Sequence, residues 1–161
     1  MKVNKQTRNN ASLLDKLIDD APENRYEIEN YRGISLSKLR RYVARDLENL
    51  LNAKVQWSTW PDYYKELEQS LVNYGMSDFS SMAVGSMEGR QLLCDKVTES
   101  IKRFEPRFVE VYVETVDNDQ PLDRILTLRI NALLHNDSEF IAFDSEVEPV
   151  HLGMKVMESS Q

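Results

Sequence analysis

The stretch Ile101-Lys102-Arg103-Phe104-Glu105-Pro106-Arg107-Phe108-Val109-Glu110-Val111-Tyr112-Val113-Glu114 decides the fold. Up to its start, apolar residues recur at helical spacing: Leu93, Val97, Ile101 and Phe104 step by four, four and three. After Pro106 the period is two, with Val109, Val111 and Val113 alternating with Glu110, Tyr112 and Glu114. Proline has no N–H to give a helix and biases the residue before it toward extended geometry. A helix therefore ends at Pro106 and a half-buried strand begins. Ser86 is placed to cap the helix at its start, and Lys102 and Arg103 suit the negative end of its dipole.

Beyond this corner the chain reads as strands. Asp117-Asn118-Asp119-Gln120-Pro121 is a turn, and Leu126, Leu128, Ile130, Ala132 and Leu134 alternate in a second, longer strand. His135-Asn136-Asp137-Ser138 turns the chain into a third strand at 140–143, and 150–156 supplies a fourth. Before the corner the chain reads as helices. Ser12-Leu13-Leu14-Asp15 has the form of a capping box ahead of Leu17 and Ile18, with Pro22 ending that helix. Ser35 opens a longer one, in which Leu36, Leu39, Val43, Leu47 and Leu50 form the apolar face and Lys38, Arg41 and Arg45 a basic stripe. Pro61 starts a short helix through Leu67, Gly75 breaks the chain, and 76–85 is a loop. Trp57 and Trp60 suit core packing or a partner contact. Helices first and strands last predict an α+β fold: N-terminal helices, then a C-terminal antiparallel sheet of three to four strands. Residues 1–11 read as a flexible polar N-terminus, and 12–161 as one domain.

The 161 residues carry 20 Lys and Arg against 27 Asp and Glu, a net charge of −7. Nucleic-acid binding by bulk charge is thus disfavoured, since phosphate neutralisation needs a basic face. No polybasic patch invites anionic lipid, and no apolar run approaches the ~20 residues of a membrane-spanning helix. The first ten residues lack the apolar segment of a signal peptide. The single cysteine, Cys94, excludes an internal disulfide framework and fits a reducing compartment such as the cytoplasm.

Motifs for catalysis are scarce. The chain has no phosphate-binding glycine loop, no dinucleotide fingerprint and no zinc-protease helix motif. Two scattered histidines, His135 and His151, and one cysteine are a poor zinc set, so no metal or cofactor is expected. Asp117-Asn118-Asp119 lacks the glycine and distal glutamate of a calcium loop. Glu105, Pro106 and Arg107 are the candidate site. In extended chain, residues two apart face the same side, so Glu105 and Arg107 present opposite charges together. Such a pair serves either to tie the corner to the rest of the fold or to dock a partner, with catalysis a remote third use.

Several segments then carry a family resemblance. Ser12-Leu13-Leu14-Asp15-Lys16-Leu17 resembles the opening of TssE proteins, the small baseplate subunits of type VI secretion systems. So does Arg40-Arg41-Tyr42-Val43-Ala44-Arg45-Asp46-Leu47-Glu48-Asn49-Leu50-Leu51-Asn52. Ser70-Leu71-Val72-Asn73-Tyr74-Gly75-Met76-Ser77-Asp78 is similar to the family's Ser-Val-Leu-Asn-Tyr-Gly-Leu-Pro-Asp, with Leu71-Val72 in reversed order and Ser77 in place of the proline. Glu105-Pro106-Arg107 matches a signature shared with a small wedge protein of contractile phage baseplates.

The resemblance implies a non-catalytic cytoplasmic subunit, assembled at the inner membrane complex without entering the membrane. It implies wedge partners of TssF, TssG and TssK type, with Glu105, Pro106 and Arg107 helping to seat the protein on the wedge helices. It also implies sheath partners of TssB and TssC type, reached by strand pairing at a sheet edge. Two rivals accompany it. The wider family has carried a lysozyme-like label, implying peptidoglycan cleavage. That chemistry needs two carboxyls about 5–10 Å apart across a cleft, and a carboxyl beside an arginine is poorly placed for it. The other rival is a regulatory binding protein of anti-adaptor type, which shares the general fold.

Overall fold

The computed structural model describes residues 12–18, 22–23, 34–55, 60–61, 63–79, 82–116, 126–135, 140–147 and 153–159. The chain forms two compact units, residues 1–43 and 44–161. The polar N-terminus at 1–11, the turn at 117–121, Trp57 and His151 lie outside the described residues.

In the first unit, helix α1 spans Leu13–Leu17. Its capping box is complete: the Ser12 hydroxyl accepts from the Asp15 N–H at 3.2 Å, and the Asp15 carboxylate accepts from the Ser12 N–H at 3.1 Å. Residue Ile18 is already extended, so the helix stops before Pro22. Leu13, Leu14, Leu17 and Ile18 are all exposed. Helix α2, Leu36–Asn52, begins in this unit and runs into the second. The Ser35 hydroxyl accepts from the Lys38 N–H at 3.3 Å, the expected N-terminal cap.

In the second unit, α2 buries Leu47, Leu50 and Leu51. The short helix expected from Pro61 is instead a 3-10 turn at Lys65–Gln69, followed by another at Leu71–Asn73. Its side chains are largely exposed, so no packed apolar face pulls these residues into α-geometry. Helix α3 spans Met87–Phe104, capped by the Ser86 hydroxyl on the Gly89 N–H, and buries Leu93, Cys94, Val97 and Ile101. Burial pushes the Cys94 thiol up, as befits an inert core residue.

The sheet holds β1 (Phe108–Val116), β2 (Leu126–Leu134), β3 (Phe140–Val147) and β4 (Met154–Glu158), all antiparallel in the order β1-β2-β3-β4. The α+β layout read from the sequence is the observed one. Helix α3 packs on β1, and the core face of the sheet carries Val111, Leu128, Ile130, Ala132, Ile141, Phe143 and Val156. Each of these side chains larger than alanine contributes about 1.5–3 kcal/mol of burial. Val109 departs from the alternation and is 58% exposed, because the register shifts between Phe108 and Glu110.

On the core face of the sheet one fully buried residue is polar. Ser145 is fully buried between Leu128 and Val156, and its hydroxyl has no hydrogen-bond partner. An unsatisfied buried hydroxyl costs about 1–3 kcal/mol. Ser145→Ala is therefore expected to raise stability by about 1 kcal/mol in a urea titration; a loss of that size would mean that the hydroxyl has a partner in solution.

Candidate functional site

The predicted site residues lie together at the turn from α3 into β1. Glu105 is the C-cap of α3, its N–H donating to the Ile101 carbonyl at 2.8 Å. It is a buried acid, 8% exposed. Pro106 is exposed and opens the turn. Arg107 folds back over Glu105, its Nε donating to Oε1 at 2.6 Å and its Nη2 to Oε2 at 2.5 Å. The Arg107 backbone N–H also donates to Glu105 Oε1. This is the fork-on-fork geometry that a planar guanidinium makes with a carboxylate.

A third residue completes the cluster. Nη2 of Arg107 also donates to Oδ2 of Asp46, on α2, at 2.8 Å, and Arg45 holds the other Asp46 oxygen at 2.7 Å. Glu105, Arg107, Asp46 and Arg45 thus form one ionic chain from the corner to α2. The Arg107 side chain is 19% exposed, and its Nη1 is buried without a hydrogen-bond partner. Burial alone would lower the Arg107 pKa; hydrogen bonding and charge from Glu105 and Asp46 outweigh it and raise the pKa. The group stays a cation at any working pH.

The Asn-Tyr-Gly segment joins the same corner. The Tyr74 ring meets Phe104 edge-on, 5.3 Å between centroids. Burial raises the Tyr74 pKa, and the negative charges of Asp46 and Glu105 add to the rise. Gly75 has φ +119°, and a Cβ there would lie 2.3 Å from the Ala53 carbonyl oxygen. That approach lets the Met76 N–H donate to Ala53 and the Val55 N–H donate to Met76, a short parallel bridge. Ser100 of α3 closes the group by donating its hydroxyl to the Gly75 carbonyl at 2.9 Å. The end of α2, the Tyr-Gly turn and the Glu-Pro-Arg corner are therefore one packed unit.

A second junction ties α2 to the sheet. The Asn52 side chain accepts from the Met154 N–H at 2.8 Å and donates to the Met154 carbonyl at 2.7 Å, while Glu48 accepts from the Val156 N–H at 3.2 Å.

The carboxylates of the corner both pair with the Arg107 guanidinium, and are not set across a cleft. A neighbouring cavity of about 100 Å³, lined in part by Gly75, Ser77, Lys96, Glu99, Ser100 and Arg103, offers one carboxylate, and Glu99 is already bound to Arg103 at 2.7 Å. Glu110 and Glu114 are exposed on the sheet. Among the described residues, no three His, Cys, Asp or Glu side chains converge as a metal site would require. The basic stripe is uneven: Arg41 is exposed, while Arg45 is committed to Asp46.

The sequence places Glu105 and Arg107 together but does not reveal Asp46 as their common partner. The only signal is that Asp46 sits beside Arg45 on the flank of an amphipathic helix, 61 residues from Arg107.

The model of one protein family, the baseplate wedge protein gp25, matches residues 37–139. The chain belongs to that family. The matched region runs from α2 to the residue before β3 and contains the whole corner, Asp46 included. It assigns the chain to the baseplate of a contractile injection system, in a family that is structural in type. No curated protein and no solved structure matches the chain.

Proposed function

We propose that the chain is a TssE-type subunit of a type VI secretion baseplate. It joins wedge subunits of TssF, TssG and TssK type to the first ring of a TssB and TssC sheath, at the cytoplasmic face of the inner membrane complex. The observation that carries this reading is the match to the gp25 wedge family across the corner. The resemblance of the Leu-Leu-Asp, Asn-Tyr-Gly and Glu-Pro-Arg segments to TssE proteins supports the finer assignment. Turnover has no place in this role. The chain acts by holding two neighbours at fixed geometry, the wedge at the corner and the sheath at the sheet.

The intramolecular pairing shapes how the corner docks. Glu105 is buried and both ends of its carboxylate are on Arg107, so the pair sets the shape of the corner and Pro106 presents it. Pro106→Glu keeps the ion pairs and adds a charge at the exposed point. The variant is expected to fold with a thermal midpoint within about 3 °C of wild type, as surface changes do, and to lose co-purification with the wedge subunits. A variant that co-purifies like wild type would remove the corner from the wedge contact. Wild-type protein that co-purifies with neither wedge nor sheath subunits would refute the baseplate reading itself.

A further inference from the structure

The two borders of the sheet are unequal. In antiparallel strands each residue turns both its N–H and its C=O to one side, and the side alternates along the chain. On β4, Met154 and Val156 turn theirs toward α2, where Asn52 takes both groups of Met154 and Glu48 takes the N–H of Val156. Lys155 and Met157 therefore face β3, opposite Glu146 and Asp144. Carried through the registers, Leu128, Ile130 and Ala132 of β2 face β3, and Thr127, Arg129 and Asn131 face Val116, Glu114 and Tyr112 of β1. The main-chain groups of Val111, Val113 and Thr115 are left pointing away from the sheet. Among the described residues, no other element bonds to them.

Two helix side chains thus do at β4 what a fifth strand would do, while among the described residues nothing pairs with the outer side of the longer β1. Exposed strand borders invite pairing unless something blocks them. The side chains of β1 state what would fit. Val111, Val113 and Thr115 lie on the core face, and Glu110, Tyr112 and Glu114 on the exposed outer face. The cross-strand cation Arg129 is ion-paired with Asp144 at 2.8 Å, and Glu114 accepts from the Asn131 side chain at 3.0 Å while keeping its charge on the exposed face. A segment laid along β1 continues the apolar row on one side and meets the Glu110 and Glu114 carboxylates on the other.

We infer that β1 is the pairing border, that it takes an extended segment alternating apolar and basic residues, and that Asn52 and Glu48 close β4 to such pairing. This rests on the sheath contact at the sheet proposed above and fixes its border and its chemistry. The test is amide hydrogen exchange on the full chain, with a nine-residue peptide alternating valine and lysine as probe and a valine–glutamate peptide as control. The valine–lysine peptide should slow exchange at Val111, Val113 and Thr115 by about tenfold or more and leave Met154 and Val156 unchanged. The control should do neither. Thr115→Pro removes one outward donor without touching a β2 bond, so the sheet stays folded and the slowing is lost. In Asn52→Ala the peptide should also slow Met154. Slowing at β4 in wild type, equal slowing by both peptides, or none, overturns the inference. Undiminished sheath co-purification by Thr115→Pro overturns it too, and leaves the baseplate reading standing.

Discussion

Gly75→Ala is expected to lower the thermal midpoint by about 6–20 °C, corresponding to a loss of about 3–5 kcal/mol. Two costs add. A side chain at φ +119° sits in a backbone region that L-residues rarely enter, at about 1–3 kcal/mol. The new Cβ then meets backbone: the Ala53 oxygen at 2.3 Å and its carbonyl carbon at 2.7 Å. A backbone carbonyl cannot rotate aside as a flexible side chain can, and overpacking of this kind adds about 1–3 kcal/mol. The clash falls where the Met76 N–H donates to that same Ala53 oxygen at 2.8 Å. Relief therefore means pulling apart the bridge between the end of α2 and the Tyr-Gly turn, with Tyr74 drawn off Phe104. Asparagine, the usual substitute for glycine in left-handed turns, brings the same Cβ, so Gly75→Asn should be no better. Urea titration checks both variants, and a midpoint for Gly75→Ala indistinguishable from wild type would mean that the Tyr-Gly turn is not packed as described.

The parts of this fold that were legible in the sequence are those set by local chemistry. The Ser12–Asp15 capping box, the Ser86 cap, the break at Gly75 and the change of period at Pro106 each depend on residues within a few positions of one another. Strand ends were less so: β3 runs on to Val147 because Asp144 and Ser145 are held by register pairing with Arg129 and Leu128, a tertiary cause that overrides the low strand preference of aspartate. The fourth strand begins at Met154, later than expected, where Asn52 anchors it. The site was half legible. Spacing alone brings Glu105 to Arg107, whereas Asp46, Asn52 and Glu48 act across 61 to 108 positions and depend on how α2 lies in the fold. Exposure was the hardest quantity to read. The sequence leaves open whether the Glu105–Arg107 pair ties the corner to the fold or docks a partner, and the structure spends Arg107 on two carboxylates of its own chain.

That expenditure gives Arg107→Ala its large expected effect, a loss of about 3–5 kcal/mol, the usual result of breaking a buried ionic group by removing one partner. The truncation deletes little apolar contact. Its cost is what it leaves: Glu105, 8% exposed, with no counter-charge, and Asp46 with Arg45 alone on its other oxygen. Arg107→Lys is expected to recover only part of the loss, because an ammonium cannot form the paired bonds from Nε and Nη2 that grip both Glu105 oxygens. The sharper measurement is a double-mutant cycle. Once Arg107 is alanine, the buried carboxylate is a liability, so adding Glu105→Gln should restore part of the stability that Arg107→Ala removes, although Glu105→Gln alone is destabilising. Coupling of about 2 kcal/mol or more is expected for residues in direct ionic contact. Additive losses would show that the two side chains are held independently. A coupled pair would mean that wedge docking lost in Arg107→Ala reports the collapse of the corner, which is why the exposed Pro106, and not the arginine, separates binding from folding.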